Sequence, residues 1–353
     1  MNKGTTKTGQ AKVWMILFLA IFLTGLTSTQ VLAHEPYTIK IMTLQAGSST
    51  YIQGVAFTDI INKNSKWLKA VLVEGKTSGY NLKMLVSDPD LRKTTFVHLP
   101  EPTLWEAKQG MPLYKGVKYD FDKVRYVFFI GVILNAPITL NPDIKTLADL
   151  KGKRVVVGFR PTSDAPQELF YYSLKAAGLS KDDIKPQYMS YNASHDALKD
   201  GLVDVVQTGG SLMEYPNKWV LSPFAIQVVD TKHTYFISYD PHVIDKMRAE
   251  TGNPFYPMVV PANSFRNQKD PWIISAKYMG WAVTTEMADD VVEEVLRLVY
   301  DHCEVFGEYV AAGKMVTQKT LGMMGSDLKH YHPVALKFYK EKNVPVGQFS
   351  FTK

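Results

Sequence analysis

Most of the first half of the chain repeats one pattern, in which a short apolar run is followed by a polar loop and a stretch with helical spacing. The apolar runs at residues 37–43, 68–73 and 95–99 predict strands, and each is followed by a predicted helix. Strands that alternate with helices predict a largely parallel sheet, whose right-handed crossovers place the carboxyl ends of the strands along one edge. Ligands of open α/β sheets bind along that edge.

The second half of the chain follows the same plan after a crossing. Residues 124–132 and 136–140 predict two strands with few turn signals between them, which suits a passage from a first lobe to a second. A strand at 154–158 leads into a polar loop and an amphipathic helix, and a strand at 203–207 leads into a predicted turn at Thr208-Gly209-Gly210. The sequence therefore predicts a second α/β lobe with its own polar edge.

The remaining elements follow from the same periodicities. Helical spacing predicts helices at 194–201, from Met287 onward and at 332–342, and apolar runs predict strands at 224–229 and 272–283. The long strand at 272–283 would return the chain to the first lobe. The expected fold class is α/β with two lobes, which also suits a length that exceeds what one hydrophobic core usually organises.

The amino terminus has the pattern of a secretory signal. Three lysines precede an apolar segment at residues 13–26, and Val31-Leu32-Ala33 fits a cleavage site. This predicts a signal peptide at residues 1–33 and an exported, periplasmic protein that begins at His34. The apolar segment is shorter than the roughly 20 residues of a membrane-spanning helix, although an uncleaved anchor stays an alternative.

Charge and cysteine content narrow the function further. The formal net charge of +6 falls to +3 once the three lysines of the signal are removed, and no basic cluster indicates a nucleic-acid or membrane surface. The single Cys303 offers no disulfide framework, and its apolar neighbourhood predicts a small buried residue and not a reactive thiol.

Three loops with small hydroxyl residues precede predicted helices. A helix start has backbone amides without partners, and hydroxyls beside it favour a carboxylate or phosphate. Helix capping is the better account of a single such loop, but three of them favour a shared polar or anionic ligand. With the glycines after the strand at 203–207, the loops supply these candidates: Gly47, Ser48, Ser49, Tyr51, Thr77, Ser78, Gly79, Thr162, Ser163, Gly209 and Gly210.

Charged residues near the loops have separate interpretations. Arg160 is the cation placed inside such a loop, where it would pair with a ligand carboxylate through two hydrogen bonds unless it is a surface residue. Glu101 lies between two prolines and would meet either a ligand amine or a neighbouring turn. Asp164 is most simply a helix N-cap.

Motifs for catalysis, metals and cofactors are missing from the sequence. Residues 75–77 resemble the end of a nucleotide-binding loop, but Ala70 stands where that motif needs its first glycine. His330 and His332 have the spacing of two ligands on one strand face, yet no third ligand lies near them, so solvated or core histidines are the better interpretation. The sequence predicts no enzyme activity, no metal site and no cofactor.

Seven segments carry a resemblance to a known family. They are Gly47-Ser48-Ser49-Thr50-Tyr51 with Gly54, residues 144–155, residues 176–179, residues 182–186, residues 197–204, His332-Pro333 and Tyr339-Lys340-Glu341. In their order these segments resemble the TAXI-type solute-binding receptors of tripartite ATP-independent periplasmic (TRAP) transporters. The resemblance covers nearly the whole exported chain.

The resemblance implies a type II-like periplasmic binding fold with a ligand cleft between two lobes, here 34–136 with 279–353, and 137–278. It implies a monomer that binds a small organic anion, a carboxylate or an amino acid, and delivers it to TRAP membrane subunits. Phe159, Arg160 and Pro161 depart from the small glycine-rich loop of relatives, and residues 99–102 replace a polar segment. The ligand therefore need not be the type common among relatives. A sensor that docks on a signalling protein is the alternative, and a secreted hydrolase ranks third.

Overall fold

The computed structural model describes residues 35–159, 164–215 and 218–349. The predicted signal peptide and three predicted ligand residues, Arg160, Thr162 and Ser163, lie outside these ranges. No helix within the described ranges has the length and apolar character needed to cross a membrane.

One mixed sheet forms the centre of the molecule. Its path runs β2-β1-β3-β11-β4-β7-β5-β6, with β10 beside β11, β8 beside β7 and β9 beside β4. The described strands are β1 (Tyr37–Met42), β2 (Leu68–Val73), β3 (Thr95–Pro100), β4 (Val124–Thr139), β5 (Arg154–Gly158), β6 (Lys185–Tyr188), β7 (Val205–Glu214), β8 (Lys218–Leu221), β9 (Tyr235–Phe236), β10 (Tyr256–Val260) and β11 (Trp272–Thr284).

The central strands correct the prediction of a largely parallel sheet. Pairs β1–β3, β5–β6 and β5–β7 are parallel, as expected for strand-helix-strand units. Strands β4 and β11 pair antiparallel with each other and with their outer neighbours β7 and β3. The two strands predicted at 124–132 and 136–140 are one strand of 16 residues, because Asn135 and Pro137, between and within the two runs, keep their pairing with β7. Both long strands are almost entirely buried, so alternation could not reveal their direction.

Helices connect the strands and pack on the sheet. They are α1 (Ser49–Asn64), α2 (Ser78–Ser87), α3 (Pro89–Thr94), α4 (Glu101–Lys108), α5 (Ala165–Ala176), α6 (Tyr191–Lys199), α7 (Pro223–Thr231), α8 (Pro241–Thr251), α9 (Asp289–Asp301), α10 (Val305–Tyr309) and α11 (Pro333–Lys342). Side chains cap several starts as the sequence predicts: Ser48 Oγ accepts from the Tyr51 amide, and Asp164 accepts from the Gln167 amide.

Two predicted elements are wrong. Residues 224–229 belong to helix α7, which Ser222 caps and Pro223 opens, and these start signals outweigh the apolar run. The predicted turn at Thr208-Gly209-Gly210 lies inside β7 and pairs with β4. Gly210 serves close strand approach there, because a Cβ atom on it would lie 2.3 Å from the Val220 carbonyl oxygen.

The core contains an aromatic cluster around Phe57 of helix α1. The ring of Phe57 is fully buried and meets Phe96 and Phe128 edge to face, with centroids 5.5 and 5.1 Å apart. Trp281 and Phe306 complete the cluster. These aromatic contacts therefore hold helix α1 against strands β3, β11 and β4 of the sheet. Cys303 is buried, as predicted.

Candidate functional site

A cavity of about 600 Å³ lies where β4, β7 and β11 run side by side, and we call it the central cavity. Its walls combine the start of α1 with the start of α6, the β8–α7 turn and residues 310–312. Three of the predicted ligand residues line it: Ser49, Gly209 and Gly210. Its other polar lining residues are Asn135, Tyr191, Thr208, Ser211, Ser222 and Lys277.

Lys277 is the cation of the central cavity. It lies on β11 opposite Ile133 of β4, which in turn lies opposite Ser211 of β7, so these three side chains share one face of the sheet. Burial lowers the pKa of Lys277, and the carboxylates of Glu106 and Asp164 oppose that shift. Within the described residues, Nζ of Lys277 has no hydrogen bond and no carboxylate within ion-pair distance. A partly buried ammonium group is therefore left for a ligand to pair with.

Two carboxylates close to Lys277 already bind backbone amides. Glu106 Oε1 accepts from the Ala165 amide at 2.9 Å, and Asp164 Oδ1 accepts from the Gln167 amide at 3.0 Å. Burial raises the pKa of both carboxyl groups, and for both Lys277 opposes the rise. These two amides at the start of α5 are thus occupied by the protein itself, so they cannot also bind a ligand anion.

Tyr191 and Thr208 supply hydroxyl groups to the cavity, and His195 contacts the backbone of the first and the hydroxyl of the second. Nδ1 of His195 lies 2.8 Å from the Tyr191 carbonyl oxygen, which only accepts, so Nδ1 carries the ring proton. Nε2 then accepts from the Thr208 hydroxyl at 3.1 Å. Burial lowers the pKa of His195, which keeps the ring neutral. The hydroxyl of Thr208 is therefore oriented, with its proton directed towards His195.

Gly209 makes room for the ring of Tyr191. A Cβ atom at Gly209 would lie 2.6 Å from the Tyr191 hydroxyl oxygen, which is closer than a Cβ contact allows. Burial raises the pKa of Tyr191, and hydrogen bonding to the hydroxyls of Thr208 and Ser222 opposes that rise. The glycine predicted as a turn residue thus shapes the wall of the central cavity.

The first two predicted loops have mainly structural contacts. Ser48 caps α1, and Thr77 caps α2 by accepting from the Tyr80 amide at 3.2 Å. Ser78 Oγ lies 3.2 Å from Nδ1 of His98, whose pKa burial lowers to about 3.

The glycines of these loops differ. Gly47 is exposed, with a φ of 82° that suits glycine, whereas Gly79 packs under Leu113 and Tyr114. Tyr51 is half-buried on α1. Of the two loops, the structure brings Ser49 to the central cavity.

Glu101 lies in a different place from the other candidates. It lines a cavity of about 450 Å³ between α4 and α8, here called the second cavity, which shares no lining residue with the central cavity. Its Oε1 accepts from the Ser326 amide at 2.6 Å, and burial raises the pKa of Glu101 to about 7. The structure therefore does not bring Glu101 together with Ser49 and Gly209.

The two histidines near the carboxyl terminus have protein partners. Nε2 of His330 lies 3.0 Å from Nζ of Lys108, and Nδ1 of His332 accepts from the Val334 amide at the start of α11. In the described part of the chain, no three histidine, cysteine or acidic side chains group as metal ligands would.

Comparison with known proteins assigns the family. A model described as the NMT1-like family matches residues 41–342. The chain belongs to the NMT1-like family.

Solved structures resemble the NMT1-like chain over most of its length. A TctC solute binding protein from Polaromonas is 12% identical, with 88% of this chain and 98% of that chain covered and a TM-score of 0.53. The periplasmic aliphatic sulphonate binding protein SsuA from Escherichia coli is 14% identical, with coverages of 90% and 96% and a TM-score of 0.48. MatC from Rhodopseudomonas palustris, solved with bound malate, is 11% identical, with coverages of 87% and 96% and a TM-score of 0.47. The NMT1-like chain has the two-lobed α/β fold of periplasmic binding proteins.

Sequence reasoning on this NMT1-like chain did not select Lys277, which lines the central cavity. Lys277 interrupts an otherwise apolar strand run at residues 272–283, and a charge inside such a run is itself a signal of a functional or paired residue. The sequence prediction placed the ligand cation at Arg160, in a loop, because loops carry most binding residues. Tyr191 and Thr208 were missed because single hydroxyl residues carry no recognisable pattern.

Proposed function

We propose that this chain is a periplasmic solute receptor that binds a small organic anion in the central cavity, between lobes formed by residues 34–136 with 279–353 and by residues 137–278. The observation that carries the proposal is the partly buried ammonium group of Lys277, which lines the cavity without a paired carboxylate among the described residues. The receptor delivers the anion to TRAP membrane subunits, for which the support is the sequence resemblance.

The charge of Lys277 favours a carboxylate ligand. A buried charge without a partner is costly, and a carboxylate at hydrogen-bond distance offsets that cost. Glu106 and Asp164 reduce the cost at longer range, but both are held by backbone amides. A ligand carboxylate is thus the group that most directly satisfies Nζ of Lys277.

Neighbouring polar groups indicate what else the ligand carries. Asn135 Oδ1 is buried and has no hydrogen-bond partner in the described structure, so it can accept from a ligand donor. Ser49, Ser211 and the oriented Thr208 add hydroxyl groups to the same cavity. A carboxylate that also bears an amine or hydroxyl group, as in an amino acid or hydroxy acid, uses both the cation and the acceptors.

Calorimetric titration tests the proposal. The exported chain, residues 34–353, is titrated with a panel of organic acids and amino acids, and the best ligand is repeated with Lys277→Met. Loss of a charge-assisted hydrogen bond of about 1.5–3 kcal/mol weakens binding by roughly 10- to 150-fold. Lys69→Met is the matched control, because Lys69 is an exposed strand lysine on β2. Binding that is unchanged by Lys277→Met would contradict the proposal, as would silence across the panel with no thermal shift.

Delivery is tested separately from binding. In the host, the gene is deleted and uptake of the best ligand is measured in cells that do or do not express candidate multi-span membrane subunits. Uptake that needs both the receptor and those subunits supports delivery. Unchanged uptake, together with a histidine kinase that is encoded beside the receptor and responds to the ligand, would instead indicate that the chain is a sensor.

A further inference from the structure

The second cavity contains polar groups that the proposed function does not use. Its lining comes from α4, residues 325–327 and His330, and from α8 with Tyr256 of β10. Its volume of about 450 Å³ lies within the range of sites for small molecules. A single small occupant would therefore contact elements that are far apart in the sequence.

Glu101 supplies an acceptor to this cavity. The residue is 2% exposed, and its Oε1 is engaged by the Ser326 amide at 2.6 Å. Oε2 is buried and meets no described donor with hydrogen-bond geometry. The hydroxyl of Tyr256, the side chain of Ser326 and the amide of Gly325 are close enough to oppose the rise in the pKa of Glu101, but none of them reaches Oε2 in that geometry.

Arg248 supplies a donor to the same cavity. Its Nη2 donates to Asp245 Oδ1 at 2.8 Å, and its guanidinium lies 4.7 Å from the centre of the Tyr256 ring. Nη1 is buried and has no acceptor among the described residues. A buried donor without an acceptor destabilises the folded chain, and the same holds for the buried Oε2 of Glu101.

The other charged groups of the cavity are already paired. Lys108 lies 2.6 Å from Asp122 and 3.0 Å from Nε2 of His330. No ion pair joins Glu101 to Arg248 within 4.0 Å, although both line the cavity. One buried acceptor and one buried donor thus remain in this cavity, without each other as partners.

We propose that the second cavity binds a small zwitterion of the amino-acid class, whose ammonium group donates to Glu101 Oε2 and whose carboxylate accepts from Arg248 Nη1. The site is separate from the central cavity and does not depend on Lys277. Its occupant bridges α4 and α8, which are already joined by the hydrogen bond from Trp105 Nε1 to the Thr251 carbonyl oxygen at 3.0 Å.

The experiment uses a chain in which ligand binding in the central cavity is weakened. The exported chain with Lys277→Met is titrated with glycine, β-alanine and γ-aminobutyrate, which separate the two charges by increasing lengths. Propionate and propylamine, which each carry one of the charges, are the comparison probes. We expect one-site binding of at least one zwitterion and at least tenfold weaker binding of both single-charge probes. No binding by any zwitterion would overturn the proposal.

Variants and a ligand-bound structure locate the site. Glu101→Gln and Arg248→Gln, each added to Lys277→Met, are expected to weaken zwitterion binding at least tenfold, while Lys329→Met, an exposed residue beside the cavity, leaves it unchanged. Unchanged binding in both glutamine variants would refute the assignment. If a variant does not fold, a crystal structure of the Lys277→Met chain with the zwitterion decides: density between Glu101 and Arg248 supports the site, and density elsewhere rejects it. In the calorimetric titration with organic acids and amino acids, the effect of Lys277→Met reports on the central cavity alone, because Lys277 does not line the second cavity.

Discussion

The buried carboxyl group of Glu101 makes the stability of this protein depend on pH. Burial raises the pKa of Glu101 from 4.5 to about 7 in the folded chain. Below about pH 4.5 the group is protonated in both the folded and the unfolded state. As the pH rises towards 7, the unfolded chain releases the proton first, which favours unfolding. The contribution of Glu101 to stability is therefore full in acid and lost as the pH rises through 7.

The size of this loss follows from the pKa shift. The pKa of Glu101 differs by roughly 2.5 between the folded and the unfolded chain, which corresponds to about 3 kcal/mol in the free energy of unfolding. The substitution Glu101→Gln removes the titrating group and keeps an amide of similar shape. We expect the unfolding free energy of the variant, minus that of the wild-type chain, to rise by about 3 kcal/mol between pH 4.5 and pH 8.

Urea denaturation at half-unit pH steps measures this difference. The buried histidines, among them His98 with a pKa of about 3, act in the opposite direction because they lose stability as the pH falls below about 6.5. They are present in both chains, so their contribution cancels in the difference. Glu293→Gln, at an exposed position on α9, is the control for removing one negative charge. A difference that stays flat across this pH range would refute the argument for Glu101.

Three further substitutions test the site and the core. Gly209→Ala should displace the phenol of Tyr191 and weaken ligand binding in the central cavity at least tenfold, measured by calorimetry. The unfolding free energy, measured by urea denaturation, should fall by less than about 2 kcal/mol. Tight binding with an unchanged melting temperature would contradict this. Thr77→Ala should remove the cap on Tyr80 and lower the unfolding free energy by about 1 kcal/mol, and a loss of ligand binding without a loss of stability would show that Thr77 contacts the ligand instead. Phe57→Ala should lower the unfolding free energy by about 3–5 kcal/mol, and a loss below about 1 kcal/mol would mean that the cluster repacks around the gap.

Local patterns were sufficient for the outer elements of the fold. Strand β2 has the predicted bounds, and the helix starts at Ser48 and Asp164 follow from their capping side chains. These features depend on residues within a few positions of each other. The direction of β4 and β11 depends instead on pairing between segments more than a hundred residues apart, which periodicity does not contain.

The candidate site shows the same division. Glycine and hydroxyl residues in loops were recognisable, and Ser49 and Gly209 do line the central cavity. Lys277 was not chosen because its importance comes from burial against β4 and from the carboxylates of α4 and α5, which only the folded chain brings near it. Glu101 was grouped with the wrong neighbours for the same reason, since α4 turns it towards α8.

Strand β11 also supplies a built-in optical signal. Lys277 lies between Trp272 and Trp281 on that strand, and both indole rings are almost fully shielded from water. Indole emission responds to small changes in its surroundings. An anion that binds the Lys277 ammonium group should therefore alter the fluorescence of Trp272 and Trp281. Solute capture can then be timed by stopped-flow mixing without any attached dye.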